Sequence, residues 1–302
     1  MVIPDDVVIK VFDPIRDSGP LEELSRARLP HEPVVSRDET GRFVMRRLVA
    51  RVGDRLVAYA DAGDVAAVDD LGTMHLWIVV HPEWARRGLA THLLDEARAF
   101  AAEHSRTSLV TAVDRHDPAA RAWLSARGFR EVGDLDVRRR RPRAGGDAPG
   151  RPDTGTDVEV VPTAVAGSDP DFLAVAAAAM SSRPLPDGTR MVVGSQEVRD
   201  WYFGPASEGQ VYRSGATGRW PVLASVQKAR SSGYSVEPVW AEPDDAEAHL
   251  TGVLTRVVTD ADASERELVL ALSPLTEEAL DRVTTKLGFE SAGGRTTWRL
   301  SW

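Results

Sequence analysis

Residues 141–157, RPRAGGDAPGRPDTGTD, hold almost no apolar side chain and are crowded with Gly, Pro, Asp and Arg. A stretch of this composition has nothing to pack and reads as a flexible connector. It divides the 302 residues into halves that are each long enough to bury a core of their own. The expected organisation is a domain over 1–140, a linker over 141–157 and a second domain over 158–302.

In the first half, VVIKVF, FVMRRLVARV, RLVAYADA and HLWIVV read as strands from their β-branched content and bounding turns, with Gly53-Asp54 as a hairpin turn. A helix follows, because Leu89, Leu93, Leu94, Ala97 and Phe100 recur at three- and four-residue spacing and give 89–103 one apolar face. SLVTAV is the next strand. Asp117-Pro118 opens a second, short helix with an aspartate cap and a proline in the first turn, Gly128 ends it, and FREVG and LDVRR are the closing strands. Sheet first, then helix, strand, helix and strand, is an α+β pattern in which helices cover a mixed sheet.

Composition removes several functions. At 42% apolar and 27% charged residues the chain is globular rather than disordered. Its net charge of -9 argues against a general affinity for nucleic acid, because neutralising phosphates takes clustered Lys and Arg. One basic run, Arg138 to Arg141 with Arg143, departs from this and reads either as a solvated strand edge or as a polyanion contact. There is no cysteine, which removes disulfides, thiolate metal sites and Cys nucleophiles and makes the cytoplasm the simplest compartment. The segment MVIPDDVVIKVF has acids where a secretory signal needs bases, and no apolar run approaches about 18 residues, so neither export nor membrane insertion is expected.

The stretch most informative about chemistry is VVHPEWARRGLATHLL, 79–94, where a strand passes through Pro82 into an Arg/Gly turn that opens directly into the long helix. Backbone N–H groups of Arg86, Arg87, Gly88, Leu89 and Ala90 would point outward at the positive end of that helix, Gly88 would let an anion close to the backbone, and Thr91 could add a hydroxyl. A plain strand-to-helix turn with solvated arginines would carry the same residues. A second element, DPAARAWLSARGF, follows the next strand at the distance one compact site requires.

Together these two elements resemble the acyl-CoA loop and closing helix of the GCN5-related N-acetyltransferases (GNAT), whose loop pattern is Q/R-x-x-G-x-G/A. Here the loop reads ARRGLA, with Gly88 and Ala90 matching and Ala85 standing where the family has Gln or Arg. The resemblance covers about residues 43–140. It implies acetyl-CoA as cosubstrate, with the backbone of Ile78, Val79 and Val80 offered to the pantetheine arm and residues 86–91 holding the pyrophosphate. Asp117 stands where the family places an Asn touching the cofactor, and it reads equally well as a helix cap.

No catalytic group carries over from the resemblance. The family's proton-donating Tyr, four residues before the Gly-Phe pair, is Leu124 here, and the positions matching its carboxylate bases are Met74 and Ala112. His75, Asp114 and His116 lie near enough to act through water, or to be structural. The resemblance implies an N-acyltransferase that acetylates a small-molecule amine or a peptide amino terminus by direct attack in a ternary complex. The other reading is an inactive acyl-CoA-binding protein of regulation or assembly; an oligomer is compatible with both, and no metal is called for.

A shift of 161 positions places Pro82 on Pro243 and Leu89 on Leu250, and a shift of 160 places Gly128-Phe129 on Gly288-Phe289. The flanks follow: PVLASVQKAR and YSVEPVW as strands before, LVLALS after, and TEEALDRVTTKLG as the closing helix. The second half thus reads as a degenerate GNAT-like copy. Asp244, Asp245 and Glu247 surround its cofactor-loop position and His249 replaces the glycine, so like charges would repel a pyrophosphate there. Trp201, Tyr202 and Trp220 read either as core or as lining of a shared acceptor pocket.

Direct attack requires a neutral amine. At pH 7 a lysine-like amine of pKa about 10.4 costs roughly 4 to 5 kcal/mol to deprotonate, against about 1 for an α-amino group near 7.7. With positioning as the main source of rate, the acceptor is expected to be a low-pKa amine. The pH profile of acetyl transfer should then level off by about pH 8 to 9; a rate on the physiological acceptor still rising steeply to pH 10 would contradict this.

Overall fold

The structure is a computed structural model that describes residues 4, 6–28, 44–64, 72–143, 157–182, 190, 192–203, 209–214, 222–228, 233–241, 246–272 and 278–302. The first half runs β1 (Val7–Val11), α1 (Pro14–Arg28), β2 (Met45–Val52), β3 (Arg55–Asp64), β4 (Thr73–Val80), α2 (Leu89–Glu103), β5 (Ser108–Asp114), α3 (Pro118–Ser125) and β6 (Arg130–Arg140). The second runs β7 (Val158–Pro162), α4 (Thr163–Ala166), α5 (Pro170–Ser182), α6 (Ser195–Tyr202), β8 (Gly209–Ser214), β9 (Val222–Lys228), β10 (Gly233–Ala241), α7 (Ala246–Ala263), β11 (Glu267–Leu272), α8 (Glu278–Lys286) and β12 (Glu290–Ser301). The α+β class and the two similar halves are as the residue patterns require. Helix α2 spans the expected residues and buries Leu89, Leu93, Leu94, Ala97 and Phe100. Helix α1 carries Pro20 inside it.

All twelve strands form one sheet in the order β1-β2-β3-β4-β5-β12-β6-β11-β10-β9-β8-β7. The two halves meet by exchange. Strand β12, the last of the chain, pairs antiparallel with β5 from Ser301↔Ser108 to Arg295↔Asp114, while β6, the last strand of the first half, pairs with β11. β12 and β6 also pair with each other, so each half ends inside the other's sheet.

Alternation along these strands assigns the faces. Trp298 and Leu300 of β12 pack with Leu94, Phe100 and Leu124 of α2 and α3. Thr296, two residues before Trp298, bonds Asp134 of β6, and from Asp134 the alternation runs to Arg138 and Arg140, which reach Asp281 of α8 and Asp262 of α7. Helices α2, α3, α7 and α8 therefore share one face. On the opposite face α1 packs through Leu21 and Leu24 against Tyr59 and Val79, and α5 and α6 pack against Val211.

The arginine run corrects one expectation. Its first three members are not a solvated edge, because β6 is an interior strand and they are held in ion pairs: Arg138 with Asp136 and Asp281, Arg139 with Glu267, and Arg140 with Asp262, while Arg141 and Arg143 beyond the end of β6 are exposed. Partners from three separate elements of the second half were invisible to a local reading of the run. The Arg140–Asp262 pair is bidentate at 2.7 and 2.8 Å and almost fully buried.

The Arg140 guanidinium holds the Asp262 carboxyl below the usual aspartate range. The pair's contribution is thus complete above the ordinary aspartate pKa of about 3.9 and fades as pH falls through the lowered value. Removing one partner of such a pair leaves a buried charge, so Arg140→Ala should destabilise the protein by about 3 to 5 kcal/mol in chemical denaturation, and replacing both residues with apolar ones should recover much of the loss.

Candidate functional site

Strands β4 and β5 are parallel and begin as neighbours, with Thr73↔Ser108, Met74↔Leu109 and His75↔Val110 in register. Beyond His75 the registered pairing stops. From there β4 continues bonded only to β3, as far as Val80↔Ala58, and β5 continues bonded to β12. The backbones of Trp77, Ile78, Val79 and Val80 therefore present an edge to a wedge-shaped gap. Met74 and Leu76 are buried on the α2 side of that gap and Val79 on the α1 side.

After β4 the chain makes a short 3₁₀ turn over Pro82–Trp84, capped by the His81 side chain. Arg86 then takes a left-handed φ of 61° and Gly88 one of 89°. That conformation is natural for Gly88 and unfavourable for Arg86, and strain of this kind is held where the surroundings over-determine it. Gly88 becomes the N-cap of α2 without any side-chain cap, and the first helix bond runs from the His92 amide to the Gly88 carbonyl at 3.1 Å. Consequently the amides of residues 86–91 have no backbone acceptor among the described residues, whereas those of Trp84 and Ala85 are bonded to His81 and Pro82. Arg86 and Arg87 are exposed, and Arg87 stacks over Trp84 at 4.6 Å. The positive end of a 15-residue helix thus carries a row of donors, with Gly88 and Leu89 buried and the two exposed arginines beside them.

Thr91 is engaged by a residue that the loop pattern does not include. Arg127, in the turn after α3, donates from Nη2 to the Thr91 hydroxyl at 2.5 Å and stacks over Trp123 at 4.4 Å. It brings a cation to the first turn of α2. Its sequence signal was a lone arginine before Gly128, indistinguishable there from a solvated helix end.

Asp117 caps α3, its Oδ1 accepting from the Ala120 amide at 2.9 Å. Leu124 is 2% exposed and packs in the core with Phe100 and Phe129. Met74 is fully buried, while His75 is exposed on the face carrying Trp77. Asp114 Oδ1 accepts from the His116 amide at 2.7 Å, and both side chains are exposed at the mouth of the gap. Asp61, not singled out from sequence, lies opposite Trp77 on β3 and holds Arg47 through contacts of 2.5 and 2.6 Å. Burial pushes the Asp61 carboxyl above its usual range against the pull of Arg47. Among the described residues, no group of three or more His, Cys, Asp or Glu is placed to hold a metal ion, and no helix is long and apolar enough to cross a membrane.

In the second half the matching junction is built differently. Helix α7 begins at Ala246, so Leu250 and Thr251, the counterparts of Leu89 and Ala90, lie a full turn inside it, where amides bond to carbonyls four residues back. Glu247 is tied to α8 through Lys286 at 2.7 Å and Arg282 at 3.2 Å, contacts that hold its carboxyl below the ordinary glutamate range. Asp244, Asp245 and Trp220, and the side chains of Trp201 and Tyr202, lie outside the described residues.

Residues 15–129 match the model of the acetyltransferase (GNAT) family. No curated protein matches the sequence. Among solved structures, a GCN5-related N-acetyltransferase from Sphaerobacter thermophilus superposes with a TM-score of 0.68 at 16% identity, covering 99% of this chain and 97% of that one. A tandem GNAT protein from the clavulanic acid biosynthesis pathway, solved without AcCoA, superposes with a TM-score of 0.67 at 17% identity over 98% of both chains. A GCN5-related N-acetyltransferase from Kribbella flavida gives 0.55 at 14% identity, over 97% of this chain and 70% of that one. At these identities the likeness is one of fold, and it extends through both halves and the shared sheet.

Asp117 anchors α3 whatever else it does. Asp117→Ala should cost about 1 kcal/mol in thermal or denaturant unfolding and Asp117→Asn much less, since asparagine caps nearly as well.

Proposed function

With a GNAT acetyltransferase domain at residues 15–129 and a tandem GNAT fold across the chain, we propose that the protein is an acetyl-CoA-dependent N-acyltransferase acting on a small-molecule amine or a peptide amino terminus. The observation that carries this reading is the wedge between β4 and β5 ending at the unbonded amides of residues 86–91. A pyrophosphate fits that row of donors at the helix end. The pantetheine arm, which carries amide groups of its own, fits the unpaired edge of Ile78, Val79 and Val80 as an added strand would. Asp117 stands at the start of α3 on the other side of the arm, with one carboxylate oxygen committed to Ala120.

The residues then divide the work. The loop binds the donor, the wedge orients its thioester, and the acceptor amine attacks the thioester carbonyl carbon as the thiolate departs. The amine must shed a proton, for which His75, Asp114 and His116 are the proposed acceptors, acting through water. Leu124, sealed in the core, offers none to the thiolate. We further propose domains over 1–140 and 158–302 joined by a linker over 141–157, in a cytoplasmic protein. The second half is proposed not to bind CoA, a reading supported by the early start of α7 and by Glu247.

Burial of Leu124 also favours a second reading, an acyl-CoA-binding protein without turnover. Calorimetry of the full chain with acetyl-CoA, followed by thiol release across an amine panel, separates the two. The enzyme reading expects binding and turnover; binding with persistent silence favours the second, and no heat at millimolar acetyl-CoA removes both. Gly88→Val, which puts a branched side chain at a left-handed φ in the amide row, should weaken acetyl-CoA binding at least about tenfold.

A further inference from the structure

An open sheet of twelve strands has two edges, here β1 and β7, and each unpaired backbone group on an edge is a template for a further strand. The ladder between β1 and β2 shows which groups of β1 are free. The Phe12 amide donates to the Arg47 carbonyl at 3.0 Å, and these two residues continue the β1–β2 register. Bonded pairs in an antiparallel ladder recur at every second residue, so Lys10 and Val8 also turn their backbone groups toward β2. Val7, Ile9 and Val11 turn theirs outward. The Val7 amide donates to the Pro4 carbonyl at 3.0 Å. The Val7 carbonyl and both groups of Ile9 and Val11 have no backbone partner among the described residues.

The side chains of this edge are open as well. Val8 is 61% exposed and Val11 64%. Alternation puts Asp6, Val8 and Lys10 on the face that carries α1, which packs on β3 and β4. It puts Val7, Ile9 and Val11 on the other face, where Val7 and Ile9 reach the cluster of Leu89 and Leu93. Asp6 is exposed. Lys10 lies near Asp17, whose own ion-pair partner is Arg51. The opposite edge differs: β7 spends Glu159 on Arg213 at 2.8 Å, ends on Pro162, which has no amide to donate, and carries no basic residue.

A lysine on an edge ordinarily discourages pairing. On β1 it favours one particular strand, a second β1. In an antiparallel pairing of β1 with β1 centred on Val8, Asp6 falls directly opposite the partner's Lys10, and Lys10 opposite the partner's Asp6. Val8 meets the partner's Val8 between these charged pairs, and Val7 meets the partner's Ile9 on the other face. The outward Ile9 amide of each copy meets the outward Val7 carbonyl of the other. Cross-strand pairs of opposite charge and of β-branched residues both stabilise a sheet.

We propose that β1 is a homodimer interface, to which a second copy of this chain adds its own β1, antiparallel about a twofold axis at Val8. The contact is isologous, so it closes at two copies. It joins two twelve-strand sheets edge to edge and covers Val8, which the single chain leaves in water. The dimer stands apart from the acyltransferase reading and needs no cosubstrate.

Sedimentation equilibrium of the full chain without ligand tests it. So narrow a strip makes a weak contact, with dimer expected at about 0.1 mM and monomer at about 1 µM. Val8→Lys, at an exposed position, sets two lysines against each other across the axis and should weaken the dimer about tenfold or more. Its thermal unfolding, followed on dilute protein, should match that of the parent. Asp6→Lys and Lys10→Glu should each be monomeric at the higher concentration. Mixed as folded proteins they should dimerise with each other, because both cross-strand pairs then regain opposite charge, and the double variant should dimerise by itself. The proposal is overturned by a parent chain that is monomeric at the higher concentration, by a dimer indifferent to Val8→Lys, or by single reversals that dimerise alone or stay apart when mixed. Assembly beyond two copies overturns it as well, since this contact closes.

Discussion

Two neighbouring parallel strands that stop bonding to each other partway along require explanation, because every backbone group left unpaired inside a protein carries a cost. The structure meets the requirement from outside the gap. β3 takes the far edge of β4 and β12 takes the far edge of β5, so both strands stay in the sheet while the edges between them come free beyond His75 and Val110. The rest of the site follows from this divergence. It leaves the β4 edge beyond His75 unbonded to β5, where the proposed cosubstrate would lie.

The strand that holds β5 is the last of the chain, so the site's architecture depends on the second half folding onto the first. The exchange of β6 and β12 distributes that dependence both ways, and buried ion pairs such as Arg140–Asp262 fasten it from the helical layer. Of the expected linker, residues 144–156 lie outside the described residues.

The two copies show how one local change redirects a junction. In the first, left-handed backbone at Arg86 and Gly88 delays the helix and exposes amides. In the second, the helix begins a turn sooner and its first acid, Glu247, is bound to its own neighbours. The same fold therefore starts this helix at different points in its two halves, and in the second an acid of the first turn is held by Lys286 and Arg282.

Much of this was legible locally. The spacing of Leu89, Leu93, Leu94, Ala97 and Phe100 determined α2 to the residue, Asp117 and Pro118 marked the start of α3, and the Arg-Arg-Gly turn before α2 located the amide row, because periodicity, capping and glycine's left-handed preference act over a few residues. What the chain did not disclose is every relation between distant segments. The arginines of β6 looked like an exposed edge until their partners on α7, α8 and β11 were in place. Neither Arg127, which meets Thr91, nor Arg295, which β12 carries into the sheet of the first half, was singled out from sequence. Strand order and register are settled by burial and backbone pairing summed over the whole molecule, and no window of sequence contains that sum.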